Sequence, residues 1–297
     1  MQRRFFSQPW YDRSGQVSWL KLAVFLSIFA PGLSTLISYA SGNLGARPLT
    51  EIIHQTGLWT IRFLLISLAI SPLRRALRWP RLVLVRRMVG VAAFAYGLAH
   101  FMTYIVDESF NLRMVASEVA FRLYLTIGFA ALMLLAVLAL TSTDGMVERL
   151  GGKRWRRIHR LAYGIGLLAL LHYFMQAKLG FGEPLLMAAL FGWSMGYRLI
   201  GWLRRNDGAL ASWIVVALSL VAGVTTALGE AIYVHVYFHV DIARVLAANL
   251  SWTVGSRSAW AVVAIGLAIA LASAYRGGVK RQQRRNRVPS APLEAVV

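Results

Sequence analysis

RRIHRLAYGIGLLALLHY (residues 156–173) opens with a basic cluster, presents Leu, Ala, Gly and Ile on nearly every face, and carries a histidine near each end, His159 and His172. A helix on the surface of a soluble protein keeps one polar face. This stretch keeps none, so its surroundings are lipid or other helices. Histidines in such a medium require a reason, because polar groups inside a membrane are costly and mostly functional.

The rest of the chain shares this character. Of 297 residues, 58% are hydrophobic and 15% charged, and the mean hydropathy is +0.57, the composition of an all-α integral membrane protein. Apolar runs long enough for the ~20 residues of a membrane span fall near 18–40, 56–72, 88–106, 119–140, 158–176, 184–203, 210–232 and 258–275, which predicts eight spans. The chain has no cysteine. Disulfides, thiol redox chemistry, iron–sulfur clusters and covalent c-type haem attachment are thereby excluded.

A net charge of +20 would suit nucleic acid if it formed one basic face, but it is distributed by topology instead. Most of the 32 Lys and Arg fall at the N-terminus (Arg3, Arg4, Arg13, Lys21) and in segments 74–87, 149–160, 198–205 and 276–287. The positive-inside rule then puts both termini in the cytoplasm. The first apolar run is long and lacks a clear cleavage pattern before Ser41, so it reads as a retained helix and not a signal peptide.

Short connections join the spans into one bundle, with residues 1–205 forming a six-span unit, 206–276 a two-span appendage, and 277–297 a basic tail that is disordered or lies on anionic membrane lipid. No G-x-G-x-x-G follows a strand pattern, so a nicotinamide site is not expected in this chain.

His100 lies 13 residues beyond Arg87 in the third span, and His172 lies 15 beyond Arg157 in the fifth. At about 1.5 Å per residue these depths agree to within a turn. Two neutral imidazoles at matched depth on facing helices suit six-coordinate b haem, which needs two axial nitrogens and an apolar slot. The same spacing suits two unrelated histidines, each bonded to a backbone carbonyl or a hydroxyl.

Five motifs decide between these readings: NLGARPLTEIIHQTGLW (43–59), SPLRR (71–75), RRMVGVAAFAYGLAHFMTY (86–104), RLYLTIG (122–128) and TSTDGMVERLGGKRWRRIHRLAYGIGLLALLHY (141–173). They cover the first six spans in order, and together they resemble the MsrQ family, formerly called YedZ, the haem-binding membrane subunit of a periplasmic methionine sulfoxide reductase system. The resemblance implies a six-helix ferric-reductase-like domain carrying b haem and flavin mononucleotide (FMN). Such a domain takes electrons from the quinone pool, or from a cytoplasmic flavin reductase, and passes them to a periplasmic molybdopterin-dependent subunit that repairs oxidised methionines. The reduction of the sulfoxide belongs to that partner, and no nucleic acid is involved.

Carried over by motif, His100, His159 and His172 are the family's functional histidines. The related NADPH oxidase membrane domains hold two stacked haems with two histidines on each of two helices. Here Arg86 stands 14 residues before His100, so a second bis-histidine haem would lack a ligand. The expectation is one haem on His100 and His172, with His159 beside a flavin, a quinone or a less regular haem site. On a plain helix, 13 residues at ~100° each also leave His159 and His172 about 140° apart.

Other residues are weaker candidates. Arg62 and Arg122 offer bidentate forks for haem propionates, with snorkelling to headgroups as the simpler alternative. Arg86, Arg87 and Arg157 could hold a flavin phosphate, although topology alone accounts for their charge. His54 reads as an interfacial cap. His235 and His239 have a spacing of four that suits metals, but no third ligand beyond Asp241, so packing is the simpler role. Asp107, Glu108 and Glu118 form an acidic rim on which a partner could dock. A membrane ferric reductase, and a non-redox transporter or scaffold, are the competing functions.

Overall fold

In the computed structural model, residues 9–11, 15–177, 180–205, 208–251 and 257–285 are described. Arg3, Arg4, Arg13 and the tail beyond residue 285 lie outside them. Among the described residues there are eleven α-helices and no β-strand, only one isolated bridge between Tyr11 and Val17. The helices are α1 (Trp19–Ala40), α2 (Pro48–Ala76), α3 (Arg86–Asp107), α4 (Leu112–Phe121), α5 (Leu123–Leu140), α6 (Asp144–Ile158), α7 (Leu161–Gln176), α8 (Gly182–Leu203), α9 (Ser212–Phe238), α10 (Ile242–Leu250) and α11 (Ser258–Arg285).

Each expected span is helical. Six helical segments are long and apolar enough to cross a membrane, and α6 with α7, bent by 47° at their junction, make a seventh when taken as one. The remaining helix, α8, has the length, but Trp193, Ser194, Tyr197 and Arg198 dilute its apolar run. Arg198 is satisfied within the helix, donating from Nη1 to the carbonyl and hydroxyl oxygens of Ser194 at 2.8 Å each.

Three polar-looking segments fold where loops were expected. Residues 112–121, partly assigned to the span 119–140, form the separate helix α4. It is capped by the Asn111 side chain, which accepts from Met114 N–H, and divided from α5 by the extended backbone of Arg122. The basic segment 149–160 is mostly the amphipathic helix α6, which starts at the Thr143 cap and breaks at Gly151 (φ 70°, ψ 151°). The connection 232–257 contains α10, capped by Asp241.

By compactness the chain divides into two units: residues up to Ser71 with Arg81–Phe191, and Pro72–Pro80 with residues from Gly192 on. The divide falls inside α8, ahead of the boundary expected at 205. In the first unit α2 is the hub. Proline at its first position, Glu51 in its first turn and Arg74 and Arg75 in its last all complement the helix termini. Its Ile61, Phe63, Leu64, Leu65, Leu68 and Ile70 are buried against Val89, Ala92 and Ala93 of α3, Leu135 and Leu138 of α5 and Ile165 and Leu170 of α7.

Helix α1 joins this core through a gap in its own ladder beside Pro31. The Tyr96 hydroxyl accepts from Gly32 N–H at 2.9 Å and donates to the Ile28 carbonyl at 2.8 Å, standing between two groups that an unbroken helix would pair directly.

In the second unit α9 packs along α11, with α10 against α9. Buried polar groups there engage one another: Trp193 Nε1 donates to Ser219 Oγ at 3.0 Å, and Arg257 pairs with the buried Glu230.

Candidate functional site

The first unit encloses a cavity of about 710 Å³ between α2, α3, α5 and α7, with His100 and His172 in its wall. Its inner lining is apolar, including Ile61, Leu64, Leu132, Leu135 and Ile165, while Glu118, Arg122 and Glu183 mark the end reached by the C-termini of α3 and α7.

The two imidazoles are held in matching ways. His100 Nδ1 lies 2.8 Å from the Ile53 carbonyl of α2, and His172 Nδ1 lies 2.8 Å from the Tyr124 carbonyl of α5. A carbonyl can only accept, so on each ring Nδ1 carries the hydrogen and Nε2 keeps its lone pair. Metal-bound histidines characteristically donate their second nitrogen in this way, which fixes tautomer and ring orientation. The ring centroids are 6.3 Å apart with planes at 83°. Two ~2.0 Å metal–imidazole bonds, with ~1.2 Å from each nitrogen to its ring centre, require ~6.4 Å between the centroids of axial ligands. The separation of the rings is thus the one that two imidazoles holding a single metal would need, and the cavity falls in the ~300–1,000 Å³ range of cofactor sites.

At the polar end, two clusters repeat one composition. Arg62 pairs with Glu183, which also accepts from the Tyr173 hydroxyl at 3.2 Å, and the Arg62 guanidinium lies over the Trp59 ring at 4.8 Å. Arg122 Nη2 lies 2.6 Å from Glu118, which accepts from the Tyr104 hydroxyl at 2.6 Å. Arg122 lines the cavity and Arg62 stands behind Glu183. Glu118, expected as part of an acidic docking rim, is engaged by Arg122 and Tyr104.

His159 sits differently. It caps α6 where the chain bends into α7, so it and His172 occupy different helices and the 140° separation on one plain helix does not apply. Its Nδ1 lies 3.1 Å from the Trp155 carbonyl, its Nε2 lies 3.3 Å from Ser142 Oγ, and its ring stacks on Trp155 at 3.9 Å. Nδ1 faces a carbonyl and so donates, while Nε2 faces a hydroxyl whose hydrogen goes to the Leu138 carbonyl at 2.6 Å. Arg87 Nη1 pairs with Asp144 at 2.5 Å, and none of Arg86, Arg87 or Arg157 lines the cavity.

His54 is exposed at the cavity edge, 3.9 Å from Glu51. His235 Nδ1 faces the Val240 carbonyl, His239 ends α9 in the left-handed conformation (φ 56°), and Asp241 caps α10. The helix therefore stops before the four-residue spacing can present a shared metal face. Sequence reasoning missed Glu183, Tyr104 and Tyr173, along with the two carbonyl acceptors. Glu183 gave no signal beyond being a lone acid at a helix start.

The family model for the ferric reductase like transmembrane component matches residues 56–170, which include His100 and end two residues before His172. Three relatives carry the name protein-methionine-sulfoxide reductase heme-binding subunit MsrQ. The protein of Rhodospirillum rubrum is 40% identical over 201 residues, 67% of this chain and 94% of its own. That of Herminiimonas arsenicoxydans is 39% identical over 201 residues, 66% and 92%. That of Xanthomonas oryzae pv. oryzae is 45% identical over 159 residues, 53% and 72%. No solved structure matches.

Proposed function

The chain belongs to the MsrQ family, and from that premise we propose that it is the membrane electron-transfer subunit of a protein-methionine-sulfoxide reductase system, binding one b haem between His100 and His172. The observation that carries this reading is the pair of imidazoles 6.3 Å apart, each with Nδ1 spent on a main-chain carbonyl and Nε2 left to coordinate. Haem bound there supplies one-electron exchange at a potential set by its axial ligands and surroundings.

The residues of the chain do the rest. Ile53 and Tyr124 hold the ligand tautomers through their carbonyls, and Ile61, Leu64, Leu132 and Ile165 exclude water from the slot. Arg122 and Arg62, each already drawn to the cavity end by a glutamate, are the cations available to the propionates.

With α8 counted as an eighth span and both termini in the cytoplasm, the C-terminal ends of α3 and α7 face the periplasm of a bacterial inner membrane. The cavity then lies in the outer half, on the side of a molybdopterin-dependent partner that carries out the sulfoxide chemistry. Electrons come from the quinone pool or a cytoplasmic flavin reductase. FMN would lie at the opposite, basic end, where Arg86, Arg87, Arg157 and His159 gather. The electron-transfer domain is the first unit, which carries His100 and His172.

The test is a reduced-minus-oxidised visible spectrum of the purified protein with haem quantified per chain, followed by reduction of the molybdopterin partner from quinol. A b-type α-band at about one haem per chain, with partner reduction that requires this protein, is the expected result. A chain that stays colourless after haem reconstitution overturns the proposal.

A further inference from the structure

The proposed haem site leaves one matter open: how two bulky rings come close enough to helix backbones to bond carbonyls that are already part of a helical ladder. Gly57 lies four residues after Ile53, and Gly128 four after Tyr124. Residues i and i+4 share a helix face, and the side chain of the second stands over the approach to the carbonyl of the first.

A Cβ built on Gly57 would lie 2.9 Å from His100 Nδ1 and 3.0 Å from its Cε1. One built on Gly128 would lie 2.7 Å from His172 Nδ1 and 2.8 Å from its Cε1. These are closer than real Cβ atoms come to such neighbours. Neither glycine has a positive φ, so backbone conformation does not require them, and glycine disfavours the interior of a helix. What they provide is the missing methyl. The same four-residue arrangement occurs twice, on different helices, each time under one of the two cavity histidines.

We infer that Gly57 and Gly128 are positioning residues that seat His100 and His172 on the Ile53 and Tyr124 carbonyls and thereby aim both Nε2 atoms into one slot. The inference rests on the haem reading above. It implies an order: the seat under His172 is the tighter, so Gly128 tolerates a methyl less well than Gly57.

The experiment compares wild type, Gly57→Ala, Gly128→Ala and, as a control for the same change on a neighbouring helix, Gly164→Ala, whose Cβ would meet nothing within 4 Å. Haem affinity, the spin state from visible and electron paramagnetic resonance spectra, and the midpoint potential are read for each. Gly128→Ala is expected to lose haem affinity by roughly 10-fold or more, as for other residues that orient a metal ligand, and to convert part of its remaining haem to high spin. Gly57→Ala shifts in the same direction by less, and Gly164→Ala matches wild type.

Folding is controlled with Gly128→Ala/His172→Ala. If the methyl clashes only with the ring, this double variant melts with His172→Ala; a further loss would mean that the methyl damages helix packing itself, and would overturn the seat. Wild-type affinity, spin state and potential in Gly128→Ala, in a protein whose wild type holds haem on both histidines, overturn the inference alone. A wild type that takes up no haem overturns the haem reading and the inference with it.

Discussion

The two ends of the first unit hold the same residue type in opposite states. At one end His100 and His172 each spend one nitrogen on a carbonyl and turn the ring towards a shared cavity. At the other, His159 turns Nδ1 to the Trp155 carbonyl and Nε2 to the Ser142 hydroxyl, and its ring is stacked on an indole. A count of histidines would treat all three alike. The difference is what Nε2 faces: a shared apolar cavity for His100 and His172, a serine hydroxyl in a basic segment for His159. A ring nitrogen that meets only a cavity is the one set for a ligand there.

Substitutions can break this contrast, most strongly at the cavity. His100→Ala and His172→Ala are each expected to abolish nearly all haem binding, a larger effect than the roughly 10–100-fold typical of groups outside the coordination sphere. His159→Ala should keep the haem content and α-band of wild type. Loss of the α-band in His159→Ala, measured by difference spectroscopy, would remove the distinction and make His159 a ligand.

The next effects are read first in stability. Tyr96→Phe, which takes away the hydroxyl standing between Gly32 N–H and the Ile28 carbonyl, should cost about 1–3 kcal/mol. The melting midpoint in detergent would fall while haem binding is retained. His159→Ala should cost about 1–2 kcal/mol through its hydrogen bonds and its stacking on Trp155, read in the same assay. Arg62→Ala, losing Glu183 and the Trp59 face, should cost about 1 kcal/mol. Arg122→Ala should move the melting midpoint least, because its guanidinium is open to solvent. As the cations proposed for the propionates, both arginines should also shift the haem midpoint potential when removed.

The sequence carried the fold because lipid imposes a simple code. Apolar runs of sufficient length became helices at all eight expected places, and the matched depths of His100 and His172 were readable as a rise per residue. Amphipathic elements were harder. Residues 112–121 are too short and residues 144–158 too polar to register as spans, and both look like connections until the caps at Asn111 and Thr143 are recognised. The kink ahead of α7 was hidden for a related reason: nothing in RRIHRLAY states that one helix ends at Ile158 and another starts at Leu161. The partner of Arg62 was also out of reach, whereas that of Arg122, Glu118, lies only four residues before it. Glu183 is 121 residues from Arg62, and only the folded bundle brings them together.

The acceptors that orient the cavity histidines belong to the main chain, and this has a consequence for any mutational survey of the protein. Replacing Ile53 or Tyr124 by alanine leaves each carbonyl where it was. An alanine scan along α2 and α5 would thus report the side chains of Ile53 and Tyr124 and leave untouched the oxygens that fix the imidazoles. It would score strongly one turn later, at Gly57 and Gly128, the two positions where alanine adds atoms.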